Sequence, residues 1–404
     1  MNRKISVIIG GTYGDEGKGL ATDLFSGTAS SVLVIKHNGG AQAGHTVDLP
    51  NGRRFVFHAL SSGSFRRADT LWADTFLPDL YKLTEELTAF QGVAGFVPKL
   101  YACPDTCITL IDDVLVNMAA ETARGRNRHG SCGMGIYEAV LRGREGCSVT
   151  LKQVQDWTVS ELADRMREIR RTYLPHRLKA LGLRLPELGE YGELLRLDRV
   201  IHNAAEEMKR GSESVTLIEN RKEFLEKYRN IIFESGQGLL LDWDWLPGGP
   251  YVSASKTGLV NPLQFLKTCD LEPDEVVYVV RSYLTRHGAG PLPFQCRAEE
   301  LGNILRDETN VPNPWQGSLR YSWHPSPTEL LRPMVEDASQ LQGHTKRSLL
   351  ITHLNETDGK LKFATGDLTV EEFAALPKVR SFLDRLYLSD TKYAEDVKVI
   401  DLQR

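Results

Sequence analysis

A glycine-rich segment near the N-terminus carries the side chains best suited to chemistry. Residues 10–19 read GGTYGDEGKG, after the apolar run of residues 5–9 and before a helical pattern that begins near Leu20. Glycines between a strand and a helix let backbone N–H groups close around a phosphate, and the helix dipole favours the anion. Lys18 adds a cation, and Asp15 adds a carboxylate where a phosphate-bound Mg²⁺ could lie. The segment therefore predicts phosphate chemistry.

This segment matches neither of the common glycine motifs. A Walker A loop needs G-x-x-x-x-G-K-[ST], but Thr12 stands five positions before Gly17, and Gly19 follows Lys18. A dinucleotide fingerprint needs G-x-G-x-x-G, whereas the order here is Gly14-x-x-Gly17-x-Gly19. The alternative is a structural turn without a ligand. Asp, Glu and Lys packed among glycines make a poor structural turn, so we favour a ligand-binding loop.

Two further loops combine glycine with reactive polar groups. Residues 37–46 read HNGGAQAGHT directly after the second predicted strand, so this loop can face the Asp15 loop at one edge of a parallel sheet. His45 has little side-chain cover between Gly44 and Thr46, which favours contact with a ligand over a structural role. Residues 130–135 read GSCGMG, and small hydroxyl and glycine residues can wrap a phosphate that arginine clamps in a fork. The neighbouring arginines are Arg124, Arg126, Arg128, Arg142 and Arg144.

Two more loops lie further along the chain. Residues 233–238 read FESGQG at the end of a predicted strand, and residues 251–255 read YVSAS. A glutamine at a strand end can read a base edge through its amide. Residues 313–321 read NPWQGSLRY and bring polar, aromatic and cationic side chains together, a weak signal by itself.

The periodicity predicts an α/β fold with a mainly parallel central sheet, a P-loop-like phosphate site and helical insertions. We expect one domain over residues 1–404, with a mostly helical insertion over about 151–227 whose clearest helices cover 159–172 and 199–210. Besides the first strand, the predicted strands are short, rich in Val and Ile, and bounded by Gly, Pro or Asn. They cover residues 32–36, 55–58, 70–72, 99–102, 230–233, 275–280, 348–352 and 397–400.

Composition excludes several classes of protein. The chain has 404 residues, is 41% hydrophobic and 25% charged, and carries a formal charge of −4, which gives no basic surface for nucleic acid. No apolar run approaches the roughly 20 residues that span a bilayer. Cys103 and Cys107 have no second cysteine or histidine pair with zinc spacing, and six cysteines are too sparse for a disulfide framework. We expect a cytoplasmic, reduced protein that binds neither membrane nor nucleic acid.

Taken together, the motifs resemble the adenylosuccinate synthetase family. That family has W-G-D-E-G-K-G, G-G-x-N-A-G-H-T and F-E-G-A-Q-G segments, then Y-V-T-S-S and T-T-R-V-G-x-G-P. The corresponding residues here are 13–19, 39–46, 233–238, 251–255 and 285–291, in the same order over nearly the whole chain. The resemblance implies a ligase that transfers the γ-phosphoryl group of a nucleoside triphosphate to the 6-oxygen of a purine nucleotide. The amino group of L-aspartate then displaces that phosphate.

The resemblance also implies roles for individual residues. Asp15 would remove the purine N1 proton and bind Mg²⁺ together with the Gly44 carbonyl, while His45 would stabilise charge on the phosphoryl group or the 6-oxygen. Lys18 would hold the donor phosphates, and Gln237 would contact the purine. Arg144 would reach the neighbouring subunit's site, which implies a homodimer. The other expected nucleotide- or phosphate-binding residues are Gly14, Glu16, Gly17, Gly19, Gln42, Thr46, Ser131, Cys132, Ser253, Arg286 and Asn355.

Several positions depart from the family pattern. Gln42 replaces Asn, and residues 131–134 read SCGM in place of Thr-Thr-Gly-Arg. The expected aspartate-binding residues Gln316, Gly317, Ser318 and Arg320 keep only one of the family's paired arginines. Asn355 stands where an aspartate reads the guanine of GTP, and an amide offers the donor and acceptor that adenine needs. We therefore expect weaker preference for GTP and use of ATP.

The departures leave the substrate open. IMP is the first expectation for the purine nucleotide. The alternatives are a ligase of the phage branch that acts on dGMP or GMP, against which the presence of Asp15 argues, and a ligase of the same mechanism with another amino donor in secondary metabolism. A nucleotide switch without ligase activity would leave His45 and Gln237 unexplained, and a dead relative would have no reason to keep Asp15 and Lys18.

Overall fold

A large, mostly parallel sheet forms the centre of the computed structural model, which describes residues 3–27, 30–245, 247, 249–305, 309 and 316–402. The strands of the described residues are β1 (Lys4–Gly10), β2 (Val32–Lys36), β3 (His45–Asp48), β4 (Arg54–Phe57), β5 (Asp69–Trp72), β6 (Leu100–Ala102), β7 (Thr216–Leu217), β8 (Asn230–Gly238), β9 (Glu275–Arg281), β10 (Leu284–Arg286), β11 (Gln295–Cys296), β12 (Arg320–Ser322), β13 (Lys346–Thr352), β14 (Lys360–Leu361), β15 (Leu368–Thr369), β16 (Arg385–Leu388) and β17 (Lys398–Asp401).

Helices cover the sheet. The α-helices of the described residues are α1 (Lys18–Ser26), α2 (Leu80–Ala94), α3 (Ile111–Arg124), α4 (Ile136–Arg144), α5 (Leu151–Asp156), α6 (Val159–Thr172), α7 (Leu174–Ala180), α8 (Glu190–Leu194), α9 (Asp198–Ser212), α10 (Arg221–Leu225), α11 (Val260–Lys267), α12 (Pro327–Ala338), α13 (Val370–Ala375) and α14 (Pro377–Phe382). No helix within these ranges is long and apolar enough to cross a bilayer.

The central sheet runs in the order β17-β16-β13-β9-β1-β8-β2-β5-β6-β7. Its neighbouring strands pair in parallel except at the edge, where β17 pairs antiparallel with β16. The middle strands are buried on both faces, as the continuous apolar runs of β1, β2 and β9 require. The predicted α/β fold with a mainly parallel sheet is confirmed.

Most predicted elements lie within one or two residues of the observed ones. The exception is β8, which continues through Gly238 instead of ending at Phe233. The sequence analysis did not predict the short strands β3, β7, β10, β11, β12, β14, β15 and β16. The segment expected to be a mostly helical insertion holds α5 to α10, but it also contains β7, which pairs with the edge of β6. A capping box begins α6, since Thr158 Oγ1 accepts from the Glu161 N–H and Glu161 Oε2 accepts from the Thr158 N–H.

The sheet topology brings the glycine-rich loops together. In a parallel sheet the carboxyl ends of the strands lie at one edge, and ligands bind there. β9, β1, β8 and β2 are adjacent, and the segments that follow β1, β2, β9 and β13 therefore emerge beside one another and beside the end of β8. The candidate site lies at this edge.

Candidate active site

The loop after β1 is organised around the buried carboxylate of Glu16. Its Oε1 atom accepts hydrogen bonds from the Thr12 N–H at 3.1 Å and the Gly14 N–H at 2.8 Å, and Lys18 Nζ lies 2.6 Å from Oε2. Burial opposes ionisation, but Lys18 and the N–H donors outweigh it and lower the pKa of Glu16. Glu16 therefore stabilises the conformation of the loop through these hydrogen bonds. Its expected contact with a nucleotide stays a prediction.

Close backbone approach explains three of the glycines. A Cβ atom on Gly10 or on Gly238 would lie 2.5 Å from a carboxylate oxygen of Glu16, and one on Gly19 would lie 2.6 Å from the Thr46 carbonyl oxygen. Gly19 is thus the point where the start of α1 meets the loop that carries His45. Because these contacts leave no room for a methyl group, only glycine fits at these positions.

Asp15 lies in this loop with φ of 60°, a left-handed conformation that is unusual for a residue other than glycine. Arg281 Nε donates to its backbone carbonyl at 2.6 Å. The Asp15 carboxylate is half-buried and has no hydrogen-bond partner among the residues that the structure describes. The side chain is available to a ligand while its backbone is held in place.

His45, the first residue of β3, forms a buried pair with Glu234 of β8. His45 Nδ1 lies 2.8 Å from Glu234 Oε1, and the Ser62 hydroxyl donates to the same oxygen. The other ring nitrogen, Nε2, is buried and has no partner within the described part of the chain. Since an ionised carboxylate only accepts, Nδ1 carries a proton, and Nε2 is the atom that can meet a ligand.

Charges around this pair set its ionisation. Burial disfavours the Glu234 anion, but His45 and the buried Lys36 outweigh burial and lower the pKa of Glu234 to about 2. Burial lowers the pKa of His45, and the Glu234 carboxylate opposes part of this shift. Lys36 Nζ donates to the carbonyl oxygens of His58 at 2.6 Å and Leu60 at 3.2 Å, and these two hydrogen bonds hold the ammonium group in place.

Gln237 lies at the end of β8 between two other candidate segments. Its Oε1 atom accepts from the Ser253 hydroxyl at 3.3 Å, and a Cβ atom on Gly39 would lie 2.7 Å from its Nε2. The structure therefore places Gln237, Ser253 and the loop after β2 together. Gln42, on that loop, has a buried amide oxygen without a partner among the described residues.

Ser131 and Cys132 lie on the loop between α3 and α4. The Ser131 hydroxyl donates to Asn117 Oδ1 at 3.0 Å, and the Gly130 N–H donates to Glu121 Oε2 at 2.9 Å. A Cβ atom on Gly130 would lie 2.7 Å from the Ala289 N atom, so this loop packs on the segment that follows Arg286. Their proximity to that segment agrees with a shared nucleotide site, but the phosphate contact stays a prediction.

The two arginines expected near the substrates are neighbours across a β-ladder. Arg286 of β10 pairs with Arg320 of β12, and the Arg286 guanidinium lies 4.6 Å from the ring centre of Tyr13. Arg286 donates to the carbonyl oxygens of Tyr251 and Pro291 at 2.8 and 2.9 Å, and its buried Nε has no partner among the described residues.

Arg320 is more fully occupied. It donates to the carbonyl oxygens of Gly288 at 2.8 Å and Gly290 at 2.9 Å, and to Gln295 Oε1 at 3.1 Å. The neighbouring Gly317 carbonyl lies 3.2 Å from His287 Nε2. Arg320 therefore orders the 288–290 segment, and its contact with an amino-acid carboxylate stays a prediction, as do those of Gln316, Gly317 and Ser318. Residues 313–315 of the same motif lie outside the described residues.

Three further candidates lie around the edge of the site. Thr46 Oγ1 lies 2.7 Å from Thr309 Oγ1. Arg144, at the end of α4, lies over the ring of Trp243 at 4.1 Å within the same chain. Asn355 is exposed in the short 3-10 helix after β13, three residues beyond Thr352, whose Oγ1 donates to the Glu16 carbonyl at 2.7 Å.

The donor set fits Mg²⁺. Asp15 supplies a carboxylate oxygen and Gly44 a carbonyl oxygen, on loops that meet at Gly19, and Mg²⁺ prefers such ligands together with substrate phosphates. No group of three His, Cys, Asp or Glu side chains within the described ranges could hold a metal by itself. The residues therefore fit an ion that is shared with the phosphates of a bound nucleotide.

Sequence reasoning missed Glu234, Lys36 and Arg281. Glu234 was visible as a lone acidic residue in an apolar strand, a position that requires a buried partner. Lys36 gave the same signal at the end of β2. Arg281 gave none, because its contact with Asp15 joins residues 266 positions apart.

Comparisons with known proteins agree on one family. The adenylosuccinate synthetase family model matches residues 7–311. Adenylosuccinate synthetase of Cyanothece is 28% identical over 304 residues, which span 74% of this chain and 64% of the relative. That of Halothermothrix orenii is 26% identical over 393 residues, which span 94% of this chain and 86% of the relative.

Two solved structures share the fold. Fully ligated adenylosuccinate synthetase from Plasmodium falciparum has a TM-score of 0.70 at 16% identity, and covers 98% of this chain and 100% of its own. Succinoaminodeoxyadenylate synthetase of cyanophage S-2L, bound to dGMP and dATP, has a TM-score of 0.60 at 18% identity, and covers 98% of this chain and 95% of its own. Because the family model matches residues 7–311, which are most of this chain, the chain belongs to the adenylosuccinate synthetase family of C–N ligases.

Proposed function

We propose that this chain condenses L-aspartate with the 6-oxo position of a purine nucleoside monophosphate, IMP in the first instance, driven by conversion of a nucleoside triphosphate to diphosphate and phosphate. The observation that carries the proposal is the meeting of the Asp15 loop with the buried His45–Glu234 pair where Gly19 touches Thr46. A carboxylate, a lysine and an imidazole therefore come from two segments that meet at the carboxyl edge of the sheet. The relatives from Cyanothece and Halothermothrix orenii, which are 28% and 26% identical to this chain, are adenylosuccinate synthetases, and this supports the proposal.

In the first step the purine 6-oxygen attacks the γ-phosphorus of the donor. Asp15 accepts the N1 proton of the purine, so the 6-oxygen gains the electron density for this attack, and the nucleoside diphosphate leaves. Lys18, freed from Glu16, would neutralise charge on the donor phosphates, and His45 Nε2 would donate to the transferring phosphoryl group or the 6-oxygen. Gln237 would contact the purine.

In the second step the aspartate amine attacks C6, the C6–O bond breaks with its electron pair on oxygen, and inorganic phosphate leaves. The amine gives up one proton, which the leaving phosphate takes. N1 is unprotonated in the product, and Asp15 releases its proton to solvent. Arg320 and residues 316–318 are the proposed amino-acid contacts. Because Arg320 already donates to backbone carbonyls, its proposed role is to shape the subsite as well as to meet the carboxylate.

Asp15 and the Gly44 carbonyl would hold Mg²⁺ against the donor phosphates. Bound there, the ion would neutralise the charge that develops on the phosphoryl oxygens. Gly14, Gly17 and Gly19 let the loop approach those phosphates. Gln42, Thr46, Ser131, Cys132, Ser253 and Arg286 are the proposed contacts of the monophosphate substrate.

A homodimer in the cytoplasm is part of the same proposal. Arg144 would reach the partner's site after leaving Trp243, and sedimentation velocity of the wild type against Arg144→Ala tests this contact. All six cysteines lie within the described residues as free thiols, in keeping with a reducing compartment.

A second candidate acts on dGMP or GMP with ATP or dATP. Asn355 favours an adenine donor, and it is exposed three residues after Thr352, whose Oγ1 donates to the Glu16 carbonyl. The phage enzyme that shares the fold is described with dGMP and dATP bound. GMP and dGMP also carry an N1 proton, so Asp15 could serve either reaction as the base; the resemblance alone makes the presence of Asp15 argue against the phage branch.

Product formation tests both candidates. The protein would be incubated with Mg²⁺, aspartate and ATP or GTP across IMP, dIMP, GMP and dGMP, and the products identified by mass spectrometry. A succinyl adduct on IMP supports the first candidate, and an adduct only on GMP or dGMP supports the second. No adduct with any of the four would contradict both and direct the search to another amino donor.

Single variants test the assigned roles. Asp15→Asn should abolish adduct formation while ATP still binds, because the amide cannot accept the N1 proton. An active Asp15→Asn enzyme would overturn the base assignment. His45→Ala should slow the reaction by about 10²- to 10³-fold if His45 stabilises the transition state.

A further inference from the structure

A buried chain of polar contacts joins the Asp15 loop to the segment that carries Asn355. Arg281, at the end of β9, donates through Nε to the Asp15 carbonyl at 2.6 Å and through Nη1 to the Tyr283 hydroxyl at 3.1 Å. The Tyr283 hydroxyl in turn donates to Glu356 Oε2 at 2.5 Å. Glu356 follows Asn355 directly in the 3-10 helix Leu354–Glu356. We call Arg281, Tyr283 and Glu356 the relay.

Burial makes the relay rigid. Arg281 and Glu356 are each 6% exposed and Tyr283 is 1% exposed, so water does not compete for their hydrogen bonds. Burial, with a contribution from Glu356, raises the pKa of Tyr283 and keeps its hydroxyl protonated as a donor. A charge-assisted bond at each end fixes the direction of both side chains.

The two ends of the relay are the parts of the site that must act together. At one end, Asp15 is held at a positive φ, a conformation that persists only when the surrounding structure maintains it. At the other end, Asn355 is exposed on a short turn that a donor base would contact. A second connection runs alongside, because Thr352 Oγ1 donates to the Glu16 carbonyl.

We propose that Arg281, Tyr283 and Glu356 are positioning residues that couple occupation of the donor-base segment to the conformation of Asp15. When a base binds to Asn355, it fixes the conformation of the turn Leu354–Glu356. The hydrogen bonds of the relay then fix the position of the Asp15 carbonyl. The inference rests on the proposed function for the identity of the donor, but not on which purine accepts the phosphoryl group.

Amide hydrogen exchange tests the coupling without turnover. In the wild type, ATP with Mg²⁺ should slow exchange both in residues 352–357 and in residues 11–19. In Tyr283→Phe, which keeps the ring and removes the hydroxyl, protection of residues 352–357 should persist while protection of 11–19 falls to the part that direct contact with the donor phosphates supplies. Tyr278→Phe is the matched control, since it removes another buried hydroxyl from the same strand region, bonded to Asp337. Equal protection of 11–19 in both variants, or none in the wild type, would overturn the proposal.

A double-mutant cycle gives an independent readout. Asn355→Ala is made in the wild type and in Tyr283→Phe, and the factor by which it lowers kcat is measured in each. If the relay transmits the effect of the base, this factor should be at least about five times larger in the wild type than in Tyr283→Phe. In the Tyr278→Phe background the effect should be unchanged. Effects that multiply in the Tyr283→Phe background would contradict the relay. Arg281→Lys, which keeps the charge and loses the fork, provides a second variant if Tyr283→Phe does not fold. Absence of adduct in the wild type would refute the proposed function, whereas the exchange experiment alone judges the relay.

Discussion

His45 Nδ1 and Glu234 Oε1 lie 2.8 Å apart, with both side chains buried between the loop after β2 and strand β8. Because Nδ1–H donates a hydrogen bond to the Glu234 carboxylate, the neutral imidazole has its lone pair at Nε2. Nε2 donates to a phosphoryl oxygen only when the ring carries a second proton. The activity of the site is therefore expected to depend on the protonated His45, which Glu234 stabilises.

Glu234→Gln should lower kcat by about 10²-fold and move the alkaline limb of the kcat profile to lower pH, because the carboxylate that raises the pKa of His45 is gone. The measurement is kcat against pH for both proteins. Ser62→Ala is the control, since it removes a hydrogen bond to the same carboxylate and keeps the charge. An unshifted limb would mean that His45 does not act as the acid.

Gly19→Ala should lower the free energy of unfolding by about 1–3 kcal/mol, because its Cβ atom would meet the Thr46 carbonyl at 2.6 Å. It should also weaken ATP binding, since the two loops would move apart. Denaturant unfolding and calorimetric titration measure the two effects. Gly92→Ala is the control, because Gly92 is exposed in α2 with nothing within 4 Å of its Cβ position. Equal stability of the two variants would contradict the close approach at Gly19.

Asn355→Asp should raise the ratio of kcat/KM for GTP to that for ATP by about tenfold, since a carboxylate accepts from guanine N1–H and its 2-amino group. The ratio is measured with IMP and aspartate held at saturation. Asn51→Asp makes the same charge change in the exposed turn between β3 and β4, which has no proposed contact with the donor base, and should leave the ratio unaltered. An unchanged ratio in Asn355→Asp would show that Asn355 does not read the donor base.

Asp337 makes stability depend on pH. Burial raises the pKa of this carboxyl to about 6, although the Leu259 N–H and the Tyr278 hydroxyl favour its charged form. The folded state therefore holds its proton more tightly than the unfolded chain. The protonated Asp337 carboxyl contributes to the free energy of unfolding below about pH 4. This contribution, about 3 kcal/mol, is lost as the pH rises through about 6.

Asp337→Asn should remove this part of the pH dependence, because an amide can accept from Leu259 and does not ionise. The measurement is the free energy of unfolding by urea at pH 4.0, 5.0, 6.0 and 7.0 for both proteins. The difference between variant and wild type should grow with pH in favour of the variant. A constant difference would refute the raised pKa.

The phosphate loop was predictable because its signals are local. The apolar run of β1, the glycines and the helical pattern of α1 lie within one short segment, and the parallel sheet order then places the loop after β2 beside it. The resemblance to the family added the roles of Asp15 and His45. The local pattern and the family motifs are both recognisable in this divergent chain, because both lie in turns and at strand ends.

The missing parts depend on distant contacts. Glu234 becomes the partner of His45 only because β8 lies between β1 and β2, an order that no local pattern encodes. Arg320 looks in sequence like a carboxylate ligand, yet its fork meets the carbonyls of Gly288 and Gly290 because β12 pairs with β10. β16 was not predicted because it has only four residues, Arg-Leu-Tyr-Leu, too few to show a strand periodicity.

The crowding at Gly10, Gly19 and Gly238 divides the site into two parts with different tolerance to mutation. Any larger residue at these positions collides with a carboxylate or a carbonyl, so a substitution there disturbs the packing of the phosphate loop. Asn355, by contrast, is exposed, and a replacement there disturbs little packing. Single substitutions can therefore change which donor base is preferred while the phosphoryl-transfer machinery stays intact, and donor choice is free to diverge between lineages that keep the same reaction.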